Sequence, residues 1–299
     1  MITIDSDTIK YTFSGHDSFQ CRQLWLKKGY DFVQENNSFN DEEAVVRLGV
    51  GKNMVSAIRY WMKAFNIIDY KDNITKFGAK LFDKDIGYDP YLEDEASLWL
   101  LHYQLVQTGY ASIYSIIFNE FRKEKLFFTK ETFLNYLKRI KDANPELSFN
   151  ENTIAKDFIV FLNMYKSDSE NTDVEDSFSG ILSEIGMLRI SYTQDDNGKK
   201  VEQFQIENNE RDNLPGAVVL FSILNNPSYG NSISLKSLEF YANSPGSIFA
   251  LSRTGLINKI SDIVRENKSI TFTDHGGIKE LQFKTKPNAY SILDEYYGK

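Results

Sequence analysis

The stretch NDEEAVVRLGVGKNMVSAIRYWMKAF, residues 40–65, decides the fold. Asn40 is placed to cap a short helix, with Glu43 three residues on completing a capping box. Gly49 and Gly51 end that helix, because glycine turns sharply without a Cβ penalty. Asn53 is placed to cap a second helix. At 100° per residue, Met54, Val55, Ile58, Trp61, Met62 and Phe65 share one face of it, and Lys52, Ser56, Arg59, Tyr60 and Lys63 share the other. An apolar face on a small core, with a cationic and hydrogen-bonding face left outside, is what a helix in a DNA major groove needs. The same pattern also suits an ordinary helical hairpin with a solvated face.

The next residues favour the first of these. NIIDYKDNITKFGAKLF, residues 66–82, predicts a short strand at Ile67-Ile68, a turn at Asp72-Asn73, a second strand near Ile74 and a helix from Thr75. That is a hairpin wing. From Lys52 to Lys80 six bases (Lys52, Arg59, Lys63, Lys71, Lys76, Lys80) face two acids (Asp69, Asp72), a local net of +4. The rest of the chain must then carry −12 to give the overall −8. Positive charge is therefore concentrated where phosphate contacts would require it. We expect Lys52, Asn53, Ser56, Arg59, Tyr60 and Lys63 to form the groove face, and Lys71 and Lys76 to be wing contacts.

At 299 residues, with 14% aromatic and 41% hydrophobic residues, the chain suffices for two or three small domains with a real core. The acidic balance excludes a protein that coats nucleic acid indiscriminately. One cysteine, Cys21, excludes an intramolecular disulfide and fits a reducing compartment. The N-terminus has no basic and apolar signal pattern, and no apolar run approaches the roughly 20 residues of a membrane span, so a cytoplasmic location without membrane association is expected.

Further along, Pro90 precedes a helix over Glu93–Val106 with a Leu98, Leu101, Leu105 stripe, and Ser112–Arg122 gives another. A Thr129 cap opens a helix in TKETFLNYLKRI. A cap at Ser148 or Asn150, after a connection containing Pro145, opens one with Ile154, Phe158, Phe161 and Tyr165 inward and Lys156 outward. The base-free acidic run of residues 167–180 reads as an exposed linker. Asn197-Gly198 marks a hairpin tip. In the last third AVVLFSILN and LKSLEFYANS predict helices, and Pro245-Gly246 opens a longer one to about Val264. A hairpin then turns at Gly276-Gly277, and NAYSILDEYYG closes the chain as a short helix. The expected architecture is α+β, predominantly α, made of tandem winged helix-turn-helix-like modules. Their bounds are 1–90 with the N-terminal lead-in, 91–210 with the acidic loop, and 211–299.

Catalytic patterns are poorly met. GVGKN, residues 49–53, mimics a phosphate loop, but Asn53 and Val46 stand where Ser/Thr and the first glycine are required. Asp69-Tyr70-Lys71 mimics half of a nuclease motif, yet no second strand-borne carboxylate is evident to share a divalent metal. His16, His102 and His275 are far apart and give no zinc spacing. His102, in LWLLHYQL, reads as a hydrogen-bonded core residue, and His275 as an exposed hairpin-tip residue. FSGHDSF, residues 13–19, packs polar groups between two aromatics just before a helix. It reads as a lead-in clamped to the first module, or as a loop in which His16, Asp17 and Arg22 meet a ligand or partner. No cofactor, metal or catalytic residue is expected.

FSGHDSF with Arg22, VVRLGVGKNMV with RYW, YDPYLEDEASLWLLH, EDSFSGILSEIGML, SPGSIFALS and the terminal YY together resemble a prokaryotic domain-of-unknown-function family, family 4007. Its members are predicted winged-helix proteins, often encoded beside sulfur-transfer enzymes of DNA phosphorothioation and other anti-phage defence systems. The resemblance spans essentially the whole chain and offers no catalytic residues. It implies a non-enzymatic component that binds or senses double-stranded DNA in such a system. Two alternatives stay open: an adaptor that holds protein partners of a modification or defence complex, and an uncharacterised nuclease.

Overall fold

A computed structural model describes residues 11–144, 147, 149–167, 179–194, 198–275 and 277–299. The possible Ser148 cap, the Pro145 connection, most of the acidic run (168–178), Asn197, Gly276 and the side chain of His275 lie outside these residues.

The first helices are α1 (Trp25–Gln34), α2 (Ala44–Leu48) and α3 (Lys52–Ala64). Gly49 closes α2 in the left-handed region at φ 63°, as the glycine-punctuated turn requires. The capping expectations are corrected. Glu43, not Asn40, sits at the start of α2, and Gly51, not Asn53, at the start of α3; neither helix has a side-chain cap. Asn40 instead accepts a hydrogen bond from Arg59 Nη1 (3.0 Å). The apolar face of α3 is buried as its periodicity predicts, with Ile58, Trp61, Met62 and Phe65 fully enclosed. The wing contracts to one antiparallel bridge between Ile68 and Ile74. Thr75 then caps α4 (Lys76–Phe82), its hydroxyl accepting from Gly78 N (2.9 Å).

Helix α5 (Glu95–Thr108) runs through the centre. Every residue from Ala96 to Val106 is buried, so its expected stripe is in fact a full circumference. A bent segment follows, from α6 (Ser112–Ile116) through a π-helical turn at Ile117–Phe121 into α7 (Arg122–Glu124). Then come β1 (Phe127–Phe128), α8 (Lys130–Ala143), α9 (Glu151–Tyr165), β2 (Arg189–Gln194) and β3 (Lys200–Gln205). Thr129 caps α8 with a reciprocal bond to Thr132, and Asn150 caps α9. The sheet order is β1-β3-β2, antiparallel.

The last third runs α10 (Gly216–Leu224), β4 (Ser232–Ser234), α11 (Leu235–Phe240), α12 (Pro245–Ile248), α13 (Arg253–Glu266), β5 (Ile270–His275), β6 (Ile278–Phe283) and α14 (Ala289–Tyr296). Its sheet, β4-β6-β5, repeats the order of the first: strand, helices, hairpin, with the opening strand paired to the closing one. The single helix expected from Pro245 to Val264 is broken. Ala250 adopts φ 46° and Leu251 bridges to Asn209, while Arg211 Nε donates to the Phe249 carbonyl (3.2 Å). Ser252 then caps α13. Apolar buried residues from all three thirds join one core. Among the described residues, no helix is long and apolar enough to cross a membrane.

Candidate nucleic-acid interface

One helical face of α3 carries Lys52, Ser56, Arg59 and Lys63, at offsets of four, seven and eleven residues. Lys52, Asn53 and Ser56 are exposed, whereas Arg59 and Lys63 are half-buried. Tyr60 does not belong to this face. It is 6% exposed, packed between Trp61 and Tyr110 (ring centroids 5.2 Å from each) and edge-on to His16 at 5.4 Å. Helical periodicity placed Tyr60 on the polar face with the bases, but the N-terminal loop, through Gly15 and His16, covers its ring.

The wing turn explains the half-burial of the two bases. Asp69 Oδ1 accepts from the backbone N–H of Lys71 (2.8 Å) and Asn73 (2.9 Å), closing a tight loop. The hydrogen bonds from Asn73, side chain and backbone, outweigh the small effect of burial and hold the Asp69 carboxyl below its usual range. Asp72, at φ 65°, is turned back toward α3. Its carboxylate accepts from Arg59 through Nε (3.0 Å) and Nη2 (2.5 Å) and lies 2.9 Å from Lys63 Nζ. Burial pushes the Asp72 carboxyl up, but the Arg59 and Lys63 hydrogen bonds and charges more than compensate, and it rests below the usual carboxylate range. Lys63 also donates to the Tyr70 carbonyl (3.2 Å). Both inner bases of the expected groove face are thus held by the wing.

Lys71 is exposed on the turn. Lys76 is exposed too, but its ammonium stands 4.1 Å from the centre of the Tyr290 ring on α14, and Lys80 pairs with Asp294 (2.6 Å). These two lysines therefore form a seam with the C-terminal helix. An open cleft of about 570 Å³ separates the wing from the α1–α2 connection, lined by Asn36, Asn37, Asn40, Lys71, Asp72 and Asn73 among others. This amide-rich wall had no signal in helical or strand periodicity.

The lead-in loop is built by conformations few side chains adopt. Ser14, Gly15, Asp17 and Ser18 all have positive φ. A Cβ at Gly15 would come within 2.7 Å of the Tyr60 ring, so only glycine fits there. His16 is buried, stacked on Trp61 (5.6 Å, 8° between planes), and accepts at Nδ1 from Ser18 N (3.2 Å). Its Nε2–H therefore points at Asp157 Oδ1 on α9, 3.1 Å away. Asp157 is 2% exposed and also accepts from Ser14 N (2.9 Å). The clamp thus reaches the second third of the chain as well as the first, a partner that sequence separation concealed. Asp17 is exposed, while Arg22 lies over Trp25 (5.4 Å) and bridges through its backbone to Gly180.

His102 is fully buried between Tyr165 Oη and the Ile248 carbonyl, each 2.8 Å away. Because a carbonyl can only accept, Nε2 carries the proton and Nδ1 accepts from Tyr165. Among the described residues no three His, Cys, Asp or Glu side chains converge as metal ligands.

Two solved structures are similar to this chain. One, described as magnesium ion-bound SspB, superposes with a TM-score of 0.83 at 28% identity, covering 96% of this chain and 88% of that one. A second structure of SspB superposes at 0.81 with the same identity and coverage. No curated protein matches the sequence. The model of the family described as "Protein of unknown function (DUF4007)" matches residues 13–297, and the chain belongs to that family.

Proposed function

We propose that this chain is a non-enzymatic DNA-binding component of a prokaryotic DNA-modification or defence system, of the phosphorothioation type. In this reading it is built from three winged-helix-like modules, residues 1–90, 91–210 and 211–299, and the first of them holds duplex DNA. The observation that carries it is the exposure of Lys52, Asn53 and Ser56 on one side of α3 with Lys71 on the adjoining turn. The strand–helices–hairpin order of the two sheets supports the modular part. Phosphate contacts set a salt dependence of about 0.9 logarithmic units per charge neutralised. The test is a salt titration of duplex binding by the full chain and by Lys52→Ala with Lys71→Ala. We expect the double variant to bind more weakly, with a salt slope shallower by roughly two units. Equal affinity and slope would remove the assignment of this face, and absence of binding at low salt would leave the adaptor role instead.

A second reading, metal-assisted strand cleavage, is favoured by one observation: a similar structure is described as magnesium ion-bound. Magnesium commonly uses only one or two carboxylates, with waters and substrate phosphate completing its shell. The wing supplies Asp69 and Asp72, although both are engaged by the turn and by α3. Incubation of the full chain with supercoiled plasmid and Mg²⁺ or Mn²⁺ decides between the readings. Nicking that disappears in Asp69→Ala or Lys71→Ala would replace the non-enzymatic reading; an intact plasmid would retire the nuclease one.

A further inference from the structure

We propose that Arg59 and Lys63 form a binding site for a backbone phosphate of nucleic acid, and that Asp72, which lines the cleft between the wing and the α1–α2 connection, is its built-in competitor. The proposal rests on the DNA-binding reading above and names the site within it.

The geometry already shows an oxyanion in this place. Asp72 presents two carboxylate oxygens to a guanidinium edge and to an ammonium at once. That arrangement of a planar two-donor fork beside a point charge is also what grips a phosphate. The side chain of Asp72 retains 23% exposure and lines the 570 Å³ cleft, so the carboxylate sits at the site's mouth rather than behind it. The rest of the mouth is neutral or cationic. Asn36, Asn37, Asn40 and Asn73 supply amides, Lys71 a further charge, and Asn40 already orients Arg59 Nη1 at 3.0 Å. The competitor is carried on a turn held by Asp69 and one antiparallel bridge, so it can swing aside without dismantling a sheet.

With the carboxylate in place, Arg59, Lys63 and Asp72 together carry a net of one positive charge; with it displaced, the two bases carry two. A single phosphate lacks the advantage of a covalently tethered carboxylate. A duplex held at several other points has a high effective concentration at this one and can displace it. The device would therefore favour tightly seated DNA over transient encounters.

The test uses the full chain and a fluorescently labelled duplex, measured by anisotropy over a range of salt. Asn keeps the size of Asp and tolerates φ near 65°, so Asp72→Asn removes the competitor with little cost to the turn. We expect it to tighten binding by roughly three- to tenfold near physiological salt and to steepen the salt slope by about 0.9 for each phosphate gained. Asp69→Asn makes the same change of net charge on the same turn and serves as the control; it should give at most a small gain. Adding Arg59→Ala and Lys63→Ala to Asp72→Asn should abolish the gain. Asp72→Gly, which also accepts positive φ, is the second variant should the first fold poorly, as judged by its thermal melt. Unchanged or weaker binding by the folded Asp72 variants, a gain matched by Asp69→Asn, or a gain that survives loss of both bases would each overturn the competitor role while leaving DNA binding intact. If neither the wild-type chain nor any variant binds duplex at low salt, the DNA-binding reading itself falls.

Discussion

Asp157 and His102 are buried hydrogen-bonding side chains that tie together segments far apart in sequence. Asp157 holds His16 and the Ser14 backbone, 141 and 143 residues away in the chain. Asp157→Ala leaves the buried His16 Nε2–H without an acceptor, which costs about 1–3 kcal/mol. Urea unfolding should show that loss, and a change below about 0.5 kcal/mol would mean the loop is held by its aromatic contacts alone. His102 gives a pH signature. Burial, with Arg211 and Arg122 nearby, outweighs the favourable Ile248 carbonyl and lowers its pKa to about 3. The unfolded chain binds a proton at this side chain below about 6.5, whereas the folded chain does not until near 3. The unfolded state therefore holds more protons in that window. The contribution of His102 is fully present above about pH 6.5 and is lost as pH falls toward 3, by up to about 1.4 kcal/mol per unit. Unfolding free energies of the wild type and His102→Gln between pH 5 and 6.5 test this, a range in which most carboxylates stay ionised. The wild-type slope should be the steeper, and parallel slopes would show that His102 is not kept neutral by the fold.

At the scale of elements, legibility followed the locality of the cause. The helix start at Thr75, the Thr129 cap, Asn150 as one of two candidate caps, and the two long hairpins follow from residues within a few positions of each other, and the structure contains them all. The Asn40 cap failed where a tertiary partner competed, since Arg59 takes its side chain; the Asn53 cap failed because Gly51, in extended conformation, starts α3 two residues earlier without a side-chain cap. The break between α12 and α13 was likewise invisible, since it is driven by Arg211 and Asn209, some forty residues upstream. On the interface, charge counting located Lys52 and Lys71 on exposed surface but recorded Asp72 only as a subtraction. Its direction depends on a positive φ that charge does not encode. The wing offers a local test. The Thr75 hydroxyl both caps α4 and donates to the Asn66 carbonyl at the other end of the hairpin (2.5 Å). Thr75→Ala should therefore cost about 1–2 kcal/mol, at the upper end for a lost cap. A thermal melt unchanged within a degree would indicate that the wing is held by Ile67 and Ile68 packing alone.

At the scale of the whole molecule, hydrogen bonds cross the boundaries expected between the thirds of the chain. Thr12 and Ser112 exchange hydrogen bonds between the lead-in and α6, Ile181 N donates to the Cys21 carbonyl (2.9 Å), and Lys80 and Tyr88 both reach Asp294 on the last helix. Helix α5 has no exposed side to serve as a boundary: Trp99 and Leu101 are fully buried, while Asn66 and Thr108 connect it to the wing's base and to α3. Periodicity showed three similar patterns in the sequence but could not show that they share one core, because each local pattern specifies its own apolar face and not what covers it. If that core is common, removing one third exposes apolar surface on the other two, and the chain should unfold as a unit. We expect calorimetry of the full chain to give one transition whose calorimetric and van't Hoff enthalpies agree. A fragment of residues 91–299 should lose that cooperativity and bind a hydrophobic dye. Two resolved transitions, or a fragment that melts as sharply as the parent, would instead establish residues 1–90 as an autonomous unit. The contacts of Asp157 and Asp294 would then be docking between folded modules rather than part of folding itself.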